Sequence, residues 1–144
     1  MWIGMIRKIY HQLMPHVPGA VSPMIACGRT IKKLHPGAVT IFVGPCIAKK
    51  AEAREKDLQG AIDYVLTSEE MQDIFDALRI KPESMRDRKR EHSSKAGRIY
   101  ARTGGVSQAV RSTLEKLAPE KSMVIKTRQA DGVSACKEMI NSLL

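Results

Sequence analysis

Apolar positions along this 144-residue chain form helical stripes separated by short continuous runs. Trp2, Ile6, Ile9, Tyr10 and Leu13 recur at helical spacing, so the first segment reads as an amphipathic helix that Pro15 and Pro18-Gly19 end. Ser22-Pro23 then has the form of an N-cap followed by proline in the first helical position. Met24, Cys27, Ile31 and Leu34 are the expected inward stripe of that second helix, which Pro36-Gly37 stops. Val39 to Val43 (V-T-I-F-V) is short, β-branched and apolar almost throughout, the pattern of a parallel strand covered on both faces. A helix is predicted to start within or just after Cys46 to Lys50, and Tyr64 to Leu66 is a second strand. Thr67 and Glu70 have capping-box spacing ahead of the stripe Met71, Ile74, Phe75, Leu78. Arg98 to Ala101 is predicted as a short strand entering T-G-G, Thr103 to Gly105, before the stripe Val106, Ala109, Val110, Leu114, Leu117. Met123 to Ile125 is another predicted strand, and Val133, Cys136, Ile140 and Leu143 stripe the last helix. Strands alternating with helices imply one α/β domain over residues 1–144, a short, mostly parallel sheet flanked by helices.

Composition sharpens this picture. Apolar residues make up 43% and aromatics 4%, so the core must be aliphatic. The net charge of +9 raises nucleic acid as a partner, because clustered Lys and Arg release counterions from phosphates. Much of the excess lies in Lys81 to Arg98, with seven basic and three acidic residues and no aromatic platform for stacking bases. That segment is expected to be a solvated, mobile loop, and no nucleic-acid partner is expected. Three cysteines without paired spacing make no disulfide framework. The N-terminal run carries its charges within the apolar stretch and lacks a cleavage site, so it reads as a helix and not a signal peptide. No apolar run approaches the ~20 residues of a membrane span. The chain is therefore expected to be soluble, cytoplasmic and away from membranes.

Candidate chemistry gathers in two glycine-containing loops, each expected at the carboxyl end of a strand, where open α/β sheets collect ligands. One is Gly44 to Lys50 (G-P-C-I-A-K-K); the other is Thr103 to Gly105, which by itself more often makes a tight turn. Cys27 and Cys136 fall on helical stripes and are expected to be small core residues. Cys46 stands instead at a strand-to-helix junction with Lys49 and Lys50 beside it, a setting that favours a thiolate acting as nucleophile or metal ligand. No His stands near it in sequence, and Glu52 occupies the position where a phosphatase-type loop needs arginine. The four histidines read as surface residues, and no Walker loop, G-x-G-x-x-G or paired C-x-x-C is present.

Together these segments resemble a known family, the catalytic domain in the large subunit of iron-only (FeFe) hydrogenases. Gly44 to Ala53, G-P-C-I-A-K-K-A-E-A, is similar to that family's M-P-C-T-A-K-K-F-E-A, and Asp63 to Thr67 to its D-Y-V-L-T. Ser94 to Val106, S-K-A-G-R-I-Y-A-R-T-G-G-V, resembles S-G-A-G-x-I-F-G-A-T-G-G-V, and Ser22-Pro23-Met24 resembles S-P-Q. The order and spacing of the blocks match over nearly the whole chain. The resemblance implies a site for the H-cluster, a 4Fe-4S cubane joined through a shared cysteine to a two-iron centre with carbonyl and cyanide ligands. It implies that Cys46 is one of four cubane thiolates and that the Lys49 ammonium donates to a cyanide ligand, with Pro45, Ser22, Pro23 and Met24 lining the cavity.

The departures carry their own implication. The family's other cluster cysteines lie in an S-C-C-P-like segment upstream and a C-x-x-x-C segment near the end, and neither occurs in this chain. Gly44 stands in place of Met, Met24 of Gln, and Tyr100-Ala101 of Phe-Gly, as in a divergent or sensory relative. The expectation is a fragment of a larger catalytic region, inactive and free of cluster by itself, whose parent converts or senses hydrogen. Its partners would be the remainder of the large subunit and a ferredoxin-like electron carrier or a fused signalling domain. Apolar surface left uncovered makes self-association plausible. The alternatives are a cluster-free binding or regulatory module on the same fold, or a basic nucleic-acid module.

Overall fold

The computed structural model describes residues 2–88, 94–100, 102–122 and 125–144. They form two compact units, residues 1–86 and 87–144. The first unit is α/β, with a small parallel sheet, and the second is helical among the described residues.

The first unit begins with α1 (Trp2–Lys8) and a 3-10 turn (His11–His16) that accommodates Pro15. The helix thus ends sooner than the sequence stripe predicts. Next come α2 (Pro23–Leu34), β1 (Ile41–Val43), α3 (Ala48–Ala53), β2 (Tyr64–Leu66) and α4 (Ser68–Ala77). Ser22 caps α2 as predicted, its side chain accepting from the Ile25 N–H at 3.5 Å, with Pro23 in the first turn. The strands pair in parallel, Ile41 opposite Tyr64 and Val43 opposite Leu66. The capping box is complete: the Glu70 N–H donates to Thr67 Oγ1 at 3.1 Å, and the Thr67 N–H donates to the Glu70 carboxylate at 2.8 Å.

The core is Met24, Ile25, Ala61 and Ile62, with Phe42, Ala53, Leu58 and Val65 packed against it. This corrects the α2 stripe. Met24 is buried, but its fellows are Ile25 and Gly28, whereas Cys27, Ile31 and Leu34 are exposed. The helix docks through Gly28, where a Cβ would collide with the Ala61 carbonyl oxygen and lie 2.5 Å from Ile62 Cδ1. That close approach rotates Met24, Ile25 and Gly28 inward and turns Cys27 out to solvent. Nor is the sheet covered on both faces: Phe42 and Val65 point to the core, while Ile41 and Val43 on the other face are 57% and 47% exposed. Ile74 and Leu78 of α4 are also exposed.

Thr40 joins the sheet to this core. Its hydroxyl and N–H donate to Asp63 Oδ2 at 3.0 and 2.7 Å, and Lys32 Nζ meets Asp63 Oδ1 at 2.7 Å. Because Asp63 accepts from Lys32, from the Thr40 N–H and from the Thr40 hydroxyl, its carboxyl is lowered to about 2.

The second unit holds α5 (Lys95–Ile99), α6 (Gly105–Leu117), α7 (Pro119–Ser122) and α8 (Gly132–Asn141). The strand predicted from Arg98 to Ala101 is corrected: Arg98 and Ile99 are helical, and Ala101 lies outside the described residues. Ser94 decides this locally, because its side chain accepts from the Gly97 N–H at 3.0 Å and starts a helical turn. Met123 and Val124 likewise lie outside the described residues, and Ile125 is irregular. The basic segment is not one continuous loop, since a 3-10 turn (Pro82–Ser84) and α5 occupy its two ends; residues 89–93 lie outside the described residues. Gly104 caps α6 in the left-handed region, φ 73°, and Gly105 is buried against the Ile99 carbonyl, so the T-G-G glycines serve a tight turn into a helix. Ala109, Cys136 and Ile140 are buried, while Val106, Val110, Leu117, Val133 and Leu143 are exposed.

Candidate functional site

β1 delivers the candidate loop. The Gly44 N–H donates to the Leu66 carbonyl at 3.1 Å, extending the parallel ladder one step past Val43 before the chain turns away. The Phe42 ring lies over Gly44, its Cε1 2.9 Å from where a Cβ would stand, so that space is taken by the strand's own aromatic side chain. Pro45 follows, exposed, and Cys46 is half-buried at the turn into α3. The Lys49 N–H donates to the Cys46 carbonyl at 3.0 Å, folding the lysine's backbone back toward the cysteine.

Neither lysine after Cys46 stands alone. Lys49 Nζ lies 2.5 Å from Glu52 Oε2, with the two side chains 25% and 20% exposed. Lys50 pairs with Glu70, the carboxylate that also completes the α4 capping box. Each ammonium charge that the sequence places beside the thiol is therefore met by a carboxylate. Partial burial works to raise the Glu52 carboxyl, but hydrogen bonds from Lys49 and Ser22 and the nearby Lys49 charge outweigh it, and the net displacement is downward. Glu52 therefore stays ionised.

Glu52 is the residue that sequence reading passed over, having noted it only as the wrong side chain for a phosphatase. It pairs with Lys49 on its own helix, and Ser22, the cap of α2, also helps to hold its carboxyl down. The available signal was the K-x-x-E spacing, which places the two side chains on one helical face. Of the predicted site residues, Lys49 and Cys46 are brought together at the turn into α3, while Ser22 caps α2. Pro23 is exposed in the first turn of α2, and Met24 is packed into the core.

The donor set can be compared with what a cubane needs, which is ordinarily four cysteine thiolates. The chain contains three cysteines. Cys27 is exposed and Cys136 is buried in the second unit, leaving Cys46 as the thiol in the candidate loop. Among the described residues, no three His, Cys, Asp or Glu side chains converge as a metal site. These residues do not fit a complete cubane. They offer one thiol and a lysine whose charge already has a partner. His11, His16 and His35 are exposed, as expected; His92 lies outside the described residues. No helix among the described residues is long and apolar enough to cross a membrane.

Comparison with known proteins gives these features a family context. The chain is 27% identical, over 95% of its length, to iron hydrogenase 1 of Clostridium pasteurianum, and 28% identical over 95% to the periplasmic [Fe] hydrogenase large subunit of Nitratidesulfovibrio vulgaris. Over 58% of its length it is 30% identical to a cytosolic Fe-S cluster assembly factor NAR1 homolog of Schizosaccharomyces japonicus. It spans 27%, 37% and 19% of those three proteins, respectively. The family model described as iron only hydrogenase large subunit, C-terminal domain, matches residues 1–143, across both units, and the chain belongs to that family.

Proposed function

We propose that this chain is part of an H-cluster-binding catalytic region of an iron-only hydrogenase large subunit, with Cys46 supplying one of the cubane thiolates. Lys49 is the donor that faces an anionic ligand of the two-iron centre, with Pro45 beside Cys46 and the Ser22-Pro23 start of α2 as the remaining wall, while Met24 anchors α2 in the core. The group would supply the redox chemistry of hydrogen and protons. The chain's own part is to hold one iron ligand at the end of β1 and an ammonium one helical turn beyond it. The observation that carries the reading is the turn at the end of β1, where the Lys49 N–H donates to the Cys46 carbonyl at 3.0 Å and the Lys49 ammonium is held by Glu52 one helical turn beyond the thiol. The remainder of a large subunit is the source of the other ligands, and a ferredoxin-like carrier or fused signalling domain, in the cytoplasm, is the electron or signal partner. The uncovered apolar residues of the sheet and of α4 fit contact with that remainder or with a second copy of the chain.

A second reading, a cluster-free regulatory or assembly module, draws on two observations. The chain has fewer cysteines than a cubane requires, and one relative is named as a cluster assembly factor.

Iron content after anaerobic reconstitution separates the two readings. The 144-residue chain alone should hold no stoichiometric iron. Joined to the remainder of a large subunit it should gain iron and the visible absorption of an iron–sulfur chromophore, and Cys46→Ala should reduce both. A joined protein indifferent to Cys46→Ala would sink the ligand assignment, and near four irons on the isolated chain would sink the partial donor set.

A further inference from the structure

We propose that Glu52 is a built-in counter-ion that makes the Lys49 ammonium selective for an anion carried on a cationic centre and closed to free anions. This rests on the anion-facing role given to Lys49 above and adds a residue and a selection rule to it. Three observations combine. The Lys49 ammonium and the Glu52 carboxylate are 2.5 Å apart and mostly shielded from water. Glu52 stays ionised despite its burial because Lys49 and Ser22 both favour its charged form. The other nearby ammonium, Lys50, is occupied by Glu70. Both lysine charges of the loop therefore have a carboxylate partner before any ligand arrives.

A free monovalent anion approaching Lys49 meets a carboxylate at nearly the same distance as the ammonium, so attraction and repulsion offset each other. An anion already bound to a metal brings compensating positive charge and escapes that penalty, yet it can still accept one of the two ammonium N–H groups that Glu52 leaves free.

Thiocyanate is a suitable free anion and Lys49 a suitable reporter. The 144-residue chain, Glu52→Gln and Glu52→Asp are each labelled with limiting acetic anhydride, with and without thiocyanate. Acylation at Lys49 is then read by peptide mass spectrometry against the exposed Lys33 and Lys56. Wild-type Lys49 should be labelled equally with and without thiocyanate. In Glu52→Gln, thiocyanate should measurably protect Lys49, because deleting one carboxylate charge about 4 Å away raises anion affinity roughly fivefold even under full water screening. Glu52→Asp keeps the charge and should behave as wild type. Lys32, paired with Asp63 in the same unit, reports on the fold and should label equally in all three proteins. Thiocyanate protection of wild-type Lys49 would overturn the proposal on its own, whatever the variants do. Absence of protection in a folded Glu52→Gln would overturn it as well. Iron binding through Cys46 is a separate measurement, so an iron result against the cluster reading leaves this charge experiment intact, and the converse holds too.

Discussion

Replacing Gly28 with alanine tests how α2 is seated, and with it the position of Ser22. In an open helix the change should stabilise by about 1 kcal/mol, the propensity difference between the two residues. At Gly28 the new Cβ would collide with the Ala61 carbonyl oxygen, sit 2.5 Å from Ile62 Cδ1 and 3.1 Å from the Ala61 carbonyl carbon. Ala61 is 3% exposed and Ile62 9%, so neither can move aside into solvent. Forcing a methyl into such a contact costs ~1–3 kcal/mol, and an immovable backbone atom argues for the upper end. The same carbonyl, 3.2 Å from the buried Thr40 hydroxyl, shares that group's one proton with Asp63 Oδ2, and displacing it would cost up to about 1 kcal/mol more. Subtracting the propensity gain leaves a loss of about 2–3 kcal/mol. Urea unfolding followed by far-UV circular dichroism should show a midpoint lower by roughly 1 M, given m near 2 kcal/mol/M for a small protein. Gly4→Ala is the control, since it lies in α1 with nothing within 4 Å of its Cβ, and it should raise the midpoint or leave it unchanged. A Gly28→Ala midpoint at or above wild type would refute the close docking of α2 on residues 61 and 62.

Two further outcomes follow from single side chains. The Asp63 carboxyl has a folded value of about 2 against an ordinary 3.8, so its stabilising contribution is complete above 3.8 and is lost as pH falls toward 2. Asp63→Asn should therefore flatten the acid limb of the stability profile in that window, and an unchanged limb would remove Asp63 as its source. Thiol reagents should modify Cys27 rapidly and Cys136 only on unfolding, because the first is exposed and the second buried; peptide mapping after brief labelling reads this, and the reverse order would contradict the orientations of α2 and α8.

Local signals were the part of the fold that sequence alone determined. Ser22-Pro23 and Thr67–Glu70 satisfy orphan N–H groups at helix starts with atoms three residues away, so their consequences are fixed before any tertiary contact forms. The short apolar runs at Ile41–Val43 and Tyr64–Leu66 became parallel partners for a similar reason: a helix-containing connection between short strands leaves little other choice. The loop carrying Cys46 followed from those strands. Ser94 carried a local signal too, but its cap on Gly97 was overlooked in favour of an apolar run, and a strand was predicted where a helical turn stands. What sequence could not decide was which face of α2 is buried. Met24, Cys27, Ile31 and Leu34 are as apolar a stripe as Met24, Ile25 and Gly28, and periodicity weighs both by hydrophobicity alone. Packing weighs them by approach distance, and only the side without a Cβ at position 28 can lie against Ala61. The partner of Lys49 is a similar case. The spacing to Glu52 permits an ion pair, but an exposed pair at that spacing is worth only tenths of a kcal/mol. Tertiary structure withdrew much of this pair from water, making a marginal helical contact a fixed feature of the candidate site.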